Sequence, residues 1–461
     1  MDIFDNISPL DFRYYGRDKS VFSKLAPYLS EAAMIRYMLK VEVALTKTLA
    51  ERKVCSRKIA EEVEKAAEKV TAEEVYVEED RIKHNVRALA NMIRKRLSPQ
   101  AKPFVHFTAT SHDIISTAEA MRCREAGENA LIPSLLSLEK TLIGIALREK
   151  ETLQIGRTHG QHAEPITFGF ALSEYVSRLG TRIVALKQAT ENLRGKISGA
   201  VGAYNASGLF FKDPEGFEND VLKKLGLKPA THSTQIVEPE FLADYVHAVI
   251  SAMGVMANLA DDMRHLQRSE IAEVGEAFGK EQVGSSTMPH KRNPISFENV
   301  KSMWKVFMPR MSTVYSDQIS EHQRDLSNSA SSRFVPEILA GLVIMAARLE
   351  KAMLKLSVDR ENIQKNFEKN SSMIVAEPLY ILLAAHNHPD AHEHVRKLTM
   401  ESQQKNVPLA ELVFADPGLK PYLAKFTRDQ IAILKNPAKY TGIAAGKTES
   451  VCRHWKKELK I

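Results

Sequence analysis

The stretch Gly284-Ser285-Ser286-Thr287-Met288-Pro289-His290-Lys291-Arg292-Asn293-Pro294 gathers two serines, a lysine, an arginine and an amide side chain into one short run. Asn293 can cap a helix, and Pro294 suits a first helical position. The apolar residues Val300, Met303, Phe307, Met311 and Val314 follow at helical spacing. Lys291 and Arg292 are therefore expected beside a helix N-terminus, where free N–H groups and the helix dipole favour an anion. Composition and spacing leave two readings open: a carboxylate trap, or a solvated loop ahead of a helix.

Other segments carry groups of the same kind. Gly156-Arg157-Thr158-His159-Gly160-Gln161-His162 sets two histidines ahead of a long apolar stripe. An imidazole at the mouth of a helix can serve as a general acid, its pKa tunable near neutrality. A single histidine is as readily a surface group. His106-Phe107-Thr108-Ala109-Thr110-Ser111-His112-Asp113 is a turn-and-cap sequence in which Ser111 or Asp113 starts a helix. Arg324 and Arg333, either side of Ser329, offer planar donor forks suited to phosphate or carboxylate. His84 lies off the apolar stripe of Ile82, Val86 and Leu89, facing solvent or a cleft. His386, His388, His392 and His394 crowd together, but Pro389 interrupts their spacing and no cysteine is near. No metal site is expected there.

The elements that must hold these groups are helices. Met34, Tyr37, Met38, Val41, Leu45 and Leu49 form one stripe, with Ser30 as its cap. Longer stripes run through Leu131 to Ile145, Phe168 to Leu186 (opened by Pro165), Leu242 to Leu266, Val300 to Val314 (kinked at Pro309) and Val335 to Met353. The acidic run 61–80 and the basic run 81–96 are expected to be solvated helix faces. No alternating run suggests strands, so the expected class is all-α. Breaks near Pro99 and Pro103, and the return of proline after Leu356, divide the chain into 1–103, 104–356 and 357–461. The middle domain is expected to be an elongated bundle whose wide stripes suit oligomerisation.

Composition limits the rest. With 44% hydrophobic and 26% charged residues, the 461-residue chain is globular rather than disordered. The charge balance, 64 − 57 = +7, fits an anionic substrate. No aromatic-interleaved basic stripe or zinc spacing points to nucleic acid as a partner. Cys55, Cys123 and Cys452 are too few and too scattered for a disulfide framework. The N-terminal residues lack the apolar core of a signal peptide, and apolar runs such as 338–347 are too short to span a bilayer. A soluble cytoplasmic protein is expected.

The 284–294 segment resembles the signature of the fumarase/aspartase superfamily, whose members cleave C–N or C–O bonds and release fumarate. With His290 and Arg292 it most resembles the adenylosuccinate lyase branch, and Thr158-His159-Gly160 points the same way. Carboxymuconate cycloisomerases share similar wording around the signature but generally lack the His-Gly pair. The resemblance implies a three-domain all-α fold with a central long-helix bundle forming a tetramer core, and active sites shared between subunits. It implies a small-molecule nucleotide substrate, no cofactor, no metal and no membrane. It assigns Ser285 as base and His159 as general acid, with His84 orienting or sharing the proton. Lys291, Asn293, Thr110 and Ser111 would stabilise charge on a substrate carboxylate. Arg13 and Tyr14 match a nucleotide-phosphate contact; Arg324, Ser329 and Arg333 match an Arg-x₄-Ser-x₃-Arg segment; Gln235 matches a contact to the succinyl portion. Ser286, Lys83 and Asn85 complete the implied substrate-binding set. Lys83 and Asn85 stand where the family usually has Arg and Asp, and Asn85 would hold His84 less firmly than a carboxylate. The alternatives are a sister lyase such as carboxymuconate cycloisomerase, or a catalytically silent structural relative.

Overall fold

The computed structural model describes residues 8, 10–276, 288, 291–369 and 371–461. Helices carry the fold, as the stripes require. Ser30 Oγ accepts the Ala33 N–H at 3.1 Å and starts Glu31–Glu51, which buries Tyr37, Met38, Val41, Leu45 and Leu49. The long helices are Phe168–Glu191, Glu240–Leu266 and Val335–Leu354, of 24, 27 and 20 residues. Ser111–Arg148 is helical for 38 residues, passing through a π-helical turn at Gly127–Leu131.

Two prolines act differently from expectation. Pro165 lies in a strand, and the following helix begins at Phe168. Pro309 ends a helix rather than kinking it: Ile295–Phe307 stops, and Arg310–Ser316 restarts with Pro309 as N-cap. A proline ring collides with the carbonyl four residues back and lacks the N–H that would continue the ladder.

The chain forms two compact units. One comprises Met1–Leu136, Thr181–Met256 and Ser302–Ala347, the other Ser137–Gly180, Ala257–Lys301 and Arg348–Ile461. The second unit contains a C-terminal core of Val375, Leu379, Leu383, Val395, Leu398, Leu409, Val413, Leu419 and Leu434. It also holds a close helix approach: a Cβ on Gly180 would meet the Trp455 ring at 2.4 Å.

Among the described residues, six short strands form three two-stranded sheets, which the absence of alternating runs did not suggest. Leu153–Thr158 and Gln161–Thr167 make an antiparallel hairpin; Val274–Glu276 pairs antiparallel with Leu356–Val358; Arg194–Gly195 pairs parallel with Lys228–Pro229. Among the described residues, two helical stretches, Ser111–Arg148 and Glu240–Leu266, are long and apolar enough to cross a membrane by length and composition, which corrects the run-length reading. Their apolar windows are 56% and 67% buried, as core helices are.

One buried group has no visible purpose in packing. Glu139, inside Ile132–Arg148, is fully buried, and neither carboxylate oxygen has a partner among the described residues. Burial pushes its pKa up to about 9, so the folded protein holds it as the neutral acid. The folded pKa lies above the unfolded one, so this contribution to stability is intact below about pH 4.5. It declines as pH rises toward the folded value, by at most about 1.4 kcal/mol per pH unit. Glu139→Leu is therefore expected to stabilise the protein by an amount that grows between pH 5 and 9. Thermal unfolding of both forms across that range checks it; parallel curves would remove Glu139 from the pH dependence.

Candidate active site

In the first unit, the turn 106–111 is strained and strongly held. His106 and Thr108 have φ of 63° and 65°, which non-glycine residues adopt only where neighbours over-determine them. Here Glu42, fully buried, accepts the His106 backbone N–H at 2.9 Å and its Nδ1–H at 2.7 Å. Burial alone would lower the His106 pKa, but the hydrogen bond and charge of Glu42 outweigh it and raise it.

Beyond the turn, Thr110 caps Ser111–Ala126. Asp113 fixes this helix start from beneath. Its carboxylate accepts the Thr110 N–H at 2.8 Å, the Ser198 N–H at 3.1 Å and the Gly199 N–H at 3.2 Å. It also pairs with Lys196 Nζ, both side chains being fully buried. Lys196 Nζ donates to the Gly199 carbonyl at 3.0 Å as well, and Thr117 Oγ1 donates to the Lys196 carbonyl at 2.8 Å. Thr110 and Ser111 thus stand on a buried ion pair.

Arg324 belongs to the same unit. Its Nε, Nη1 and Nη2 are all buried, with no hydrogen-bond partner among the described residues. A buried cation without a partner is costly, and an arriving oxyanion would supply what is missing. Thr108 Oγ1 is likewise buried and unpartnered. The Gln235 N–H donates to the Gln323 carbonyl at 3.3 Å, so the Gln235 loop is tied to the segment entering Arg324. The structure thus brings Thr110, Ser111, Gln235 and Arg324 into one unit, on segments fastened to each other or to a common support.

The remaining first-unit candidates are more open. Arg13 and Tyr14 close a π-helical turn, Leu10–Tyr14, with Arg13 exposed and Tyr14 half-buried. Lys83, exposed and at φ 59°, ends Ala72–Ile82; His84 then caps Asn85–Arg94, its Nδ1 accepting the Arg87 N–H at 3.3 Å. Asn85 Oδ1 accepts the Val86 N–H at 2.7 Å, so the backbone rather than Asn85 orients His84. Ser329 and Arg333 are exposed, Arg333 in the short turn Ser331–Phe334.

The second unit holds the other candidates. His159 is not at a helix mouth: with Gly160 it forms the hairpin turn, at φ 54° and 74°. A two-residue turn with both φ positive matches the twist of the flanking strands. It leaves His159 exposed at the tip. The hairpin is anchored by Glu273, fully buried, which accepts from Arg157 Nη2 at 2.5 Å, Gln154 Nε2 at 2.7 Å and Asn366 Nδ2 at 3.0 Å. Burial, and then the Arg157 charge, lower the pKa of half-buried His162.

Ser285, Ser286 and His290 lie outside the described residues. The two ends of their segment are described, and Gln267 joins them. Its Oε1 accepts the Glu276 N–H at 3.0 Å, and its Nε2 donates to the Arg292 carbonyl at 3.1 Å. Glu276 in turn accepts the Ser296 N–H at 3.0 Å in the first turn of Ile295–Phe307. Lys291 is exposed and Asn293 half-buried just ahead of that helix, as the spacing required. Pro294 sits one residue earlier than expected, its carbonyl accepting the Glu298 N–H at 2.9 Å.

The C-terminal histidines are occupied by each other and by their surroundings. His388 Nε2 and His394 Nδ1 are 3.0 Å apart, and His394 Nε2 lies 2.7 Å from Asp416. His392 meets Tyr380 edge-on and His386 packs on Phe426. No metal-holding group of three His, Cys, Asp or Glu occurs among the described residues.

Comparison with known proteins places this arrangement. Residues 1–308 match a family model described as lyase, and residues 320–427 one described as adenylosuccinate lyase C-terminal. Over 98% of its length the chain is 33% identical to an adenylosuccinate lyase of Archaeoglobus fulgidus, covering 99% of that protein. The chain belongs to the adenylosuccinate lyase family. It is a lyase of the fumarase/aspartase superfamily. An adenylosuccinate lyase of Bacillus subtilis is 34% identical over 74% of this chain and 78% of its own. In fold it is similar to the 3-carboxy-cis,cis-muconate lactonizing enzyme of Pseudomonas putida, with a TM-score of 0.81 at 21% identity, covering 95% and 98% of the two chains.

Sequence reasoning had not singled out Glu42, Lys196 or Glu273 as supports. Their partners are 64, 83 and 119 residues away, so no local spacing reveals them. The one visible signal is Lys196 itself, a lone charge in Gly195-Lys196-Ile197-Ser198-Gly199-Ala200.

Proposed function

We propose that the protein cleaves adenylosuccinate to AMP and fumarate, and likewise the succinyl-aminoimidazole-carboxamide ribotide of purine synthesis. The observation that carries this is the buried guanidinium of Arg324, without a hydrogen-bond partner among the described residues, in the unit that holds Thr110 and Ser111 on a buried ion pair. Similarity to adenylosuccinate lyases along nearly the whole chain supports the choice of substrate.

In this reading Ser285 removes a proton from the succinyl carbon beside a carboxylate. The electron pair is held as an aci-carboxylate until the C–N bond breaks, and the departing nitrogen takes a proton from His159. His84 orients or shares that proton. A carbon acid of this kind is weak, so preorganised donors must stabilise the dianion as it forms. Lys291, Asn293, Thr110 and Ser111 fill that role, and Gln235 and Ser286 contact the succinyl portion. Arg13 and Tyr14 hold the phosphate, with Arg324, Ser329 and Arg333 on the anionic groups; Lys83 and Asn85 flank His84. A serine becomes a usable base where amides and cations stabilise its alkoxide.

The reading includes a division at 103 and 356, a cytoplasmic homotetramer and sites built from more than one subunit. The test is an assay of fumarate and AMP release across fractions of a sedimentation run. Equal release of both products, confined to the tetramer, is expected. Release of neither would overturn the substrate, and full activity in a monomer fraction would overturn the shared site.

A further inference from the structure

We propose that His112 is a specificity-determining substrate contact, its Nε2–H donating to the carboxylate that docks on Arg324. The inference rests on the lyase reading above and adds to it a residue that the resemblance does not assign.

Placement is the first support. His112 is the second residue of Ser111–Ala126, directly after Thr110 and Ser111, and it is half-buried. It lies within electrostatic reach of Arg324, whose three guanidinium nitrogens are buried without hydrogen-bond partners among the described residues. An oxyanion is the group that best satisfies Arg324, and His112 follows Thr110 and Ser111 at the helix start, near enough for the Arg324 charge to act on it.

The second support is the state of the ring. Ser116 Oγ lies 3.5 Å from His112 Nδ1, one helical turn on, and this is the only hydrogen bond to the His112 side chain among the described residues. In the proposed tautomer the Ser116 hydroxyl donates to Nδ1 and the neutral ring carries its hydrogen on Nε2. The groups facing the ring from other segments are Arg324 and Lys196, with Asp113 on its own helix. Burial first, then the two cations, push its pKa down to about 4 against the pull of Asp113. His112 is thus a neutral donor near neutrality. It adds a hydrogen bond without adding charge where Arg324 already supplies a cation. A neutral donor orients a carboxylate, and an analogue lacking that carboxylate leaves the donor unpaired, which is how a polar site discriminates.

Substitution can separate the two ring nitrogens. A glutamine amide nitrogen reaches roughly where Nε2 lies, whereas an asparagine reaches only the Nδ1 position. With wild-type turnover of adenylosuccinate established first, His112→Leu is expected to raise KM about ten-fold with a smaller change in kcat. His112→Gln should recover most of that loss, and His112→Asn should not. Product inhibition identifies the docked group: the leucine variant should weaken inhibition by fumarate, which carries carboxylates, and leave inhibition by AMP, which carries phosphate, unchanged. Rescue by asparagine but not glutamine would make His112 a helix-start support, and a loss confined to AMP would move the contact to the phosphate. Either result, or unchanged KM in the leucine variant, overturns the proposal. Absence of turnover in the wild type would instead overturn the lyase substrate.

Discussion

Lys196→Met is expected to cost the fold about 3–5 kcal/mol, because it strands a buried carboxylate. Lys196 and Asp113 are both fully buried, and among the described residues the Asp113 carboxylate faces no other cation in a hydrogen bond. Its remaining donors are the backbone N–H groups of Thr110, Ser198 and Gly199, which hold geometry but carry no full charge. Methionine fills much of the lysine's volume, so the loss is electrostatic rather than a cavity. A double-mutant cycle isolates it: adding Asp113→Asn to Lys196→Met should cost much less than Asp113→Asn alone. Additive losses in denaturant unfolding would show that the two groups do not act as a pair. Since Asp113 also holds the Thr110 N–H, the single variant should lose substrate affinity even under conditions where it remains folded.

Ser285→Ala should leave adenylosuccinate bound but slow its cleavage by roughly 10²–10⁴-fold, the usual worth of a positioned proton-transfer group. The expectation follows from the role of base in the proposed elimination. The proposed substrate contacts at Arg324, Thr110 and Ser111 lie on other segments, so binding should survive. Equilibrium binding and single-turnover fumarate release on the same preparation check both halves. Undiminished turnover would take Ser285 out of the mechanism, and loss of binding with loss of turnover would make it a substrate contact instead.

The helices were legible because burial leaves a local record. A stripe such as Tyr37, Met38, Val41, Leu45 and Leu49 repeats at the period of the helix that buries it, and Ser30 marks its start. The hairpin at His159 was not legible. Its strands are six and seven residues long and carry Gly156, Arg157, His162 and Glu164, so no apolar alternation betrays them. What holds them is Glu273, far along the chain. His159 is visible in the sequence as a residue type, yet its setting, an exposed turn at positive φ, depended on a pairing that no local pattern reports.

The sequence by itself determined the helical class, the capped start at Ser30 and a helix start at Ser111. Those properties follow from residue type and short-range spacing, and the family membership agrees with the helical class. Only the tertiary structure decided which segments are fastened together and on what. Glu42 under His106, Lys196 against Asp113 and Glu273 beneath the hairpin are contacts between residues far apart in the chain. Their energies come from burial and from unsatisfied charge, quantities that exist only once the chain has closed around them.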